Sequence, residues 1–216
     1  MTNGKLPLLV GLTGSIGMGK TETAKMFARL GIPVYDADAA VHSLYEPGGA
    51  AVAEIAKEFP DSIKDGRVDR AVLTRHIAAD RDVLKRIEQI VHPLVGREQR
   101  NFLEDASAKG AKIVVLDIPL LFEGGGHERV DAIVVVSAPP HIQRERVLAR
   151  PDMTEDKLDH ILSRQTPDAE KRAKAHFVVE TDKGLEHAFE QVKSIVTELE
   201  TRAREKHGLK EKHGHS

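Results

Sequence analysis

Short apolar runs alternate along this chain with segments whose apolar residues recur every three or four positions. Residues 8–13 (LLVGLT), 112–117 (KIVVLD) and 132–137 (AIVVVS) are nearly continuous apolar runs, the pattern of strands covered on both faces. Residues 32–35 and 176–181 (HFVVET) read as two further strands. Between the first pair, residues 20–30 place Ala24, Phe27 and Ala28 on one helical face and stop at Gly31. Leu84, Ile87, Val91, Leu94 and Val95 repeat at helical spacing, as do Leu185, Phe189, Val192, Val196 and Leu199. Pro93 removes a backbone donor, so the first of these helices is expected to break near His92. Strands alternating with helices predict an α/β fold, a five-stranded parallel sheet with helices on both faces.

Two intervals depart from that alternation. Residues 41–110 read as helices only, with turns at Pro47-Gly48-Gly49 and Asp65-Gly66, and are too long for an ordinary crossover. They are expected to form an inserted helical domain. Residues 150–175 form a second, charge-rich insertion whose poor apolar periodicity predicts a lid of low local stability. The nucleotide-binding core is then residues 1–40, 111–149 and 176–202, with a flexible polar tail at 203–216. The tail's histidines read as solvated rather than as a metal site.

Composition narrows the classes. The 216 residues are 40% apolar and 31% charged, which suits a globular chain, and no apolar run is long enough to cross a bilayer. Lysine plus arginine (32) nearly balances aspartate plus glutamate (34), so no global basic field favours nucleic acid. Six phenylalanines, two tyrosines and no tryptophan leave little for stacking bases. With no cysteine and no visible secretory signal, the expected setting is the cytoplasm, with no membrane attachment and no obligate protein partner.

Gly14-Ser15-Ile16-Gly17-Met18-Gly19-Lys20-Thr21 fits G-x-x-x-x-G-K-[ST] at every fixed position, directly after a strand and before a helix. Glycines let successive backbone N–H groups turn toward phosphate oxygens, and the following helix aims its positive end at the same charge. Lys20 can reach the β- and γ-phosphates of ATP, and the Thr21 hydroxyl can ligate Mg²⁺. A guanine-specific Asn-Lys-x-Asp element is absent, since neither Asn3 nor Asn101 precedes lysine. Small size and helical insertions suit a kinase that closes over a small acceptor. Asp36 and Asp38 end the second strand, at the ligand edge of such a sheet, where either could accept a proton from an alcohol or cap the next helix. Asp117 ends the third strand and either holds Mg²⁺ through water or caps the strand. Arg144, Arg146 and Arg150 follow the fourth strand, either as contacts to a transferring phosphoryl group or as a solvated face.

Taken in order, Gly14–Thr21, Leu30-Gly31, Asp36-Ala37-Asp38, His92-Pro93-Leu94 and Asp117-Ile118-Pro119-Leu120-Leu121-Phe122-Glu123 resemble the dephospho-CoA kinase family. The resemblance continues through Arg146–Arg150 and Ile161–Gln165 to Phe177-Val178-Val179. It implies a P-loop kinase-type core, a helical acceptor domain and a lid, with ATP phosphorylating the 3′-hydroxyl of dephospho-coenzyme A and Mg²⁺ as cofactor. On this resemblance Asp38 is the base, with Lys20 and Arg146 also catalytic. Gly14 to Thr21, Glu22 through its backbone N–H, Arg146 and Arg150 bind ATP. Asp36, Asp38, His92, Leu120 and Glu123 face the acceptor, and Thr21 and Asp117 serve the metal. The rival readings are a P-loop kinase for a nucleoside monophosphate or a sugar acid, and a module that binds ATP without turnover.

Overall fold

The computed structural model describes residues 6–208. Its elements follow in the order β1 (Leu8–Thr13), α1 (Lys20–Arg29), β2 (Val34–Asp36), α2 (Ala37–Tyr45), α3 (Ala50–Glu58), β3 (Ile63–Lys64), β4 (Arg67–Val68), α4 (Arg70–Ala79) and α5 (Asp82–Ala108). Then come β5 (Ile113–Asp117), β6 (Ala132–Ser137), α6 (Pro140–Leu148), α7 (Glu155–Leu162), α8 (Asp168–Lys174), β7 (Phe177–Glu180) and α9 (Leu185–Lys206). The chain divides into two compact units, Met1–Tyr35 with Asp105–Ser216, and Asp36–Glu104.

The larger unit carries a five-stranded sheet in the order β2-β5-β1-β6-β7. β1 is central, paired in parallel with β5 and β6, and β6 is paired in parallel with β7. Alternation along β6 sends Ala132, Val134 and Val136 into one apolar cluster with Phe27 of α1 and Val192 and Leu199 of α9. Ile133 and Val135 face a second cluster with Leu121 and Phe122. Both faces are covered, which is why the strand reads as continuously apolar. A one-residue slip would exchange the two faces, so burial at roughly 1.5–3 kcal/mol per large aliphatic side chain pins the register. That register sets Leu12 opposite Asp117 at the carboxyl ends of β1 and β5. Strand order reverses at β1, and the crevice beyond such a reversal is where α/β sheets hold ligands.

The smaller unit has its own core of Leu44, Ile55, Phe59, Val68, Leu73, Val83, Ile87 and Val91. It is not wholly helical as expected, because β3 and β4 form an antiparallel hairpin around Asp65-Gly66. Both turn residues have positive φ, 51° and 75°, the geometry of a tight hairpin. Strands of two residues are too short to leave a periodic signal. The unit's boundaries, expected at 41 and 110, fall at Asp36 and Glu104.

Two further expectations are corrected. Helix α5 runs unbroken through Pro93, since burial of Val83, Ile87 and Val91 on one side outweighs the lost hydrogen bond. The tail does not begin at 203: α9 continues to Lys206, Ala203 is buried, and Lys206 reaches Asp131 at 2.6 Å. Of the expected tail, 209–216 lie outside the described residues, His213 and His215 among them. Residues 150–175 hold α7 and α8, and each helix buries one side chain completely, Leu158 and Lys171. Among the described residues no helix is long and apolar enough to cross a membrane.

Candidate active site

β1 delivers the chain into the loop from Gly14 to Gly19, and α1 begins at Lys20. Gly17 and Gly19 have φ of 77° and 97°, values that residues with a Cβ avoid. A Cβ on Gly17 would also lie 2.4 Å from Val147 Cγ2, so glycine is required there twice over. The Thr23 N–H donates to Gly19 O at 3.1 Å. The N–H groups of Lys20, Thr21 and Glu22 are therefore first-turn donors with no helical acceptor, at the positive end of the helix dipole. An anion fits this end of α1.

Lys20 Nζ forms an ion pair with Asp117 Oδ1, and their side chains are only 18% and 7% exposed. The β1–β5 register produces this contact, and it gives Asp117 a defined partner. Thr21 and Glu22 are exposed, and Glu22 pairs with Lys25 at 2.7 Å. The Met18 side chain is buried, and its Sδ accepts from the Ala138 N–H at 3.1 Å, so that side chain packs into the core and does not face a ligand.

Helix α6 brings Arg146 against the loop. Its Nη1 donates to Thr181 Oγ1 at 2.8 Å and reaches Gly17 O at 3.5 Å, while Nη2 donates to Thr181 O at 2.6 Å. Arg144 instead pairs with Glu155 and with Asp159, the latter at 3.1 Å, and so ties α6 to α7. Arg150 is exposed and forms no ion pair among the described residues. Three residues that sequence reasoning passed over also touch the loop. Gln143 Nε2 donates to Ile16 O at 2.7 Å, the Ile16 N–H donates to Gln165 Oε1 at 3.2 Å, and Thr181 Oγ1 donates to Met18 O at 2.7 Å. Thr181 directly follows β7, and the strand-end rule that singled out Asp117 applies to it equally. No pattern in the sequence marks Gln143, whereas Gln165 closes the Ile161–Gln165 stretch of the family resemblance, which gave it no role.

Leu120 is half exposed, but Glu123 is engaged by its own unit. Its Oε1 accepts from the Thr166 N–H at 2.7 Å and lies 3.2 Å from Lys171 Nζ, which is wholly buried. Burial pushes the Glu123 carboxyl up, but its own backbone N–H, that of Thr166 and the Lys171 charge outweigh this and hold it below its ordinary value. In the smaller unit, Asp36 Oδ1 caps α2 by accepting from the Ala39 N–H at 2.9 Å. Asp38 lies exposed in the first turn of α2 and forms no cap, so the capping alternative belongs to Asp36 alone. His92 is exposed on α5.

No cluster of three or more His, Asp or Glu side chains suited to a metal occurs among the described residues. Mg²⁺ needs none when phosphates are present, because it keeps several waters and takes one or two protein oxygens. The exposed Thr21 hydroxyl and the strand-end Asp117 carboxylate fit such a sparse site.

A central parallel strand, a glycine loop with a lysine on a strand-end carboxylate, and an arginine-bearing helix across the loop define a P-loop kinase-type protein. Residues 8–187 match the family model described as dephospho-CoA kinase, and the chain belongs to that family. The dephospho-CoA kinase of Rhodopseudomonas palustris (strain HaA2) is 56% identical over 189 residues, covering 88% of this chain and 94% of that protein. That of Brucella melitensis biotype 1 is 50% identical over 192 residues, covering 89% and 95%. Among solved structures, TT1252 from Thermus thermophilus has a TM-score of 0.76 at 34% identity, covering 90% of this chain and 99% of that one. The dephospho-CoA kinase from Campylobacter jejuni has a TM-score of 0.63 at 19% identity, a likeness of fold.

Proposed function

We propose that this chain transfers the γ-phosphoryl group of ATP to the 3′-hydroxyl of dephospho-coenzyme A, giving coenzyme A. The observation that carries the reading is the family match over residues 8–187, which includes the loop and its Lys20–Asp117 pair. In this reading the N–H groups of the loop and of the first turn of α1 hold the β- and γ-phosphates. Lys20 exchanges Asp117 for the phosphates, where its charge offsets the negative charge on the transferring group. Arg146, fixed by Thr181, and Arg150 supply further positive charge on the ATP side. Asp38 accepts the proton of the attacking hydroxyl, and Asp36 holds the start of α2 as its cap. Leu120 and His92 are assigned to the acceptor, and Glu123 acts on the acceptor wall through the segment it anchors. Thr21 and Asp117 would hold Mg²⁺, which supplies charge neutralisation across the phosphates when bound.

The test is ADP release by the purified chain with ATP, Mg²⁺ and one acceptor at a time. Dephospho-coenzyme A alone should support turnover, in a panel that includes nucleoside monophosphates and sugar acids. Turnover with another acceptor, or ATP binding with no turnover at all, would overturn the proposal.

A further inference from the structure

Gln143 Nε2 donates to Ile16 O at 2.7 Å, and Thr181 Oγ1 donates to Met18 O at 2.7 Å. Between them, Arg146 Nη1 reaches Gly17 O at 3.5 Å, too long to fix that group by itself. The Met18 N–H is already committed to a turn, donating to Ser15 O at 3.2 Å. The outer two contacts therefore matter most. A trans peptide is planar, with its C=O and the following N–H on opposite sides. Anchoring Ile16 O toward Gln143 turns the Gly17 N–H the other way, and anchoring Met18 O toward Thr181 does the same for the Gly19 N–H. Gly17 and Gly19 are the positive-φ glycines of the loop, whose peptide planes no side chain of their own restrains.

Both anchors sit on well-packed supports. Gln143 is 6% exposed on α6, and Thr181 is 9% exposed at the end of β7. The Thr181 hydroxyl has one proton, and both its roles are filled: it donates to Met18 O and accepts from Arg146 Nη1. A buried glutamine amide and a buried hydroxyl, both spent on loop carbonyls, do more than satisfy themselves. They decide which way two N–H groups point before any anion arrives.

We propose that Gln143 and Thr181 are positioning residues that preset the Gly17 and Gly19 N–H groups toward the phosphates. The inference rests on the loop being the phosphate site of the proposed function. A loop that must reorient on binding loses affinity and transition-state stabilisation, whereas a preset one does not.

The test compares wild type with Thr181→Val, Thr181→Ser and Gln143→Met in calorimetric titrations with inorganic tripolyphosphate and with ATP, alongside thermal melts and steady-state kinetics. Thr181→Val should weaken both ligands about tenfold, the worth of one hydrogen bond to a charged group. Thr181→Ser, which keeps the hydroxyl, should stay within about threefold of wild type. Gln143→Met should resemble Thr181→Val, and KM for dephospho-coenzyme A should not move in any variant. A folded Thr181→Val that binds tripolyphosphate like wild type would overturn the inference, as would Thr181→Ser failing as badly as Thr181→Val. Should Thr181→Val not fold, Gln143→Met decides by the same criterion. Failure of wild type itself to bind tripolyphosphate would remove the phosphate site, and the proposed function with it.

Discussion

Lys171 is wholly buried, and the countercharge beside it is the Glu123 carboxylate at 3.2 Å. Its Nζ makes no well-formed hydrogen bond among the described residues, so its charge depends on that one neighbour. Glu123→Gln keeps the shape and can still accept from the Thr166 N–H, but it removes the countercharge. Stripping one partner from a buried pair costs roughly 3–5 kcal/mol, because the remaining charge is left desolvated. The Glu123 side chain is 17% exposed, so water partly screens the pair and the lower end, about 3 kcal/mol, applies. At roughly 2–4 °C per kcal/mol for a chain of this size, the melting midpoint should fall by about 6–12 °C at pH 7. Adding Lys171→Met to that variant should restore most of the loss, since no buried charge then remains. Acid provides a second check. A carboxyl held below its ordinary value of 4.5 stabilises the fold fully above that pH and loses the contribution as pH falls through the lower folded value. The gap between wild type and Glu123→Gln should therefore narrow in acid. Scanning calorimetry decides: a Glu123→Gln midpoint within about 2 °C of wild type refutes the reasoning. If that unchanged midpoint came with a raised KM for dephospho-coenzyme A, Glu123 would be a direct acceptor contact instead.

Asp38→Asn should lower kcat by about 10²–10⁴-fold with little change in either substrate's dissociation constant or in the thermal melt, because Asp36 and not Asp38 caps α2. A kcat within a few-fold of wild type would leave Asp38 a solvated surface residue. Lys20→Ala should cost on the order of 10³-fold or more in rate, measured as single-turnover phosphoryl transfer. It should also lower the melting midpoint, since Asp117 loses its cation, and a folded variant with near-normal turnover would sink the assignment. Amide hydrogen exchange over residues 150–172 should slow with a non-hydrolysable ATP analogue, and equal protection with and without nucleotide would count against a closing lid.

What could be read from the sequence follows physical scale. The strands 8–13, 112–117 and 132–137 declared themselves because burial on both faces leaves an unbroken apolar run, and the glycine loop because its chemistry fixes residue types at fixed spacing. The Asp65-Gly66 hairpin was visible only as a turn, since two-residue strands have no period. Pro93 misled because a local rule was set against a tertiary term: one lost hydrogen bond against the apolar face of α5. Glu123 was legible only through the family resemblance, and its partner was not legible at all, because Lys171 lies among the surface-like charges of 168–174 and its complete burial exists only in three dimensions. The same limit hid Gln143 and Thr181. A phosphate loop announces which residues its backbone needs, yet the groups that orient that backbone act through carbonyls, which any side chain with a proton to give can hold. Their identity is set by where α6 and the end of β7 come to lie and not by any motif, so each side chain that fixes a peptide plane of the loop has to be found from its donor and its distance.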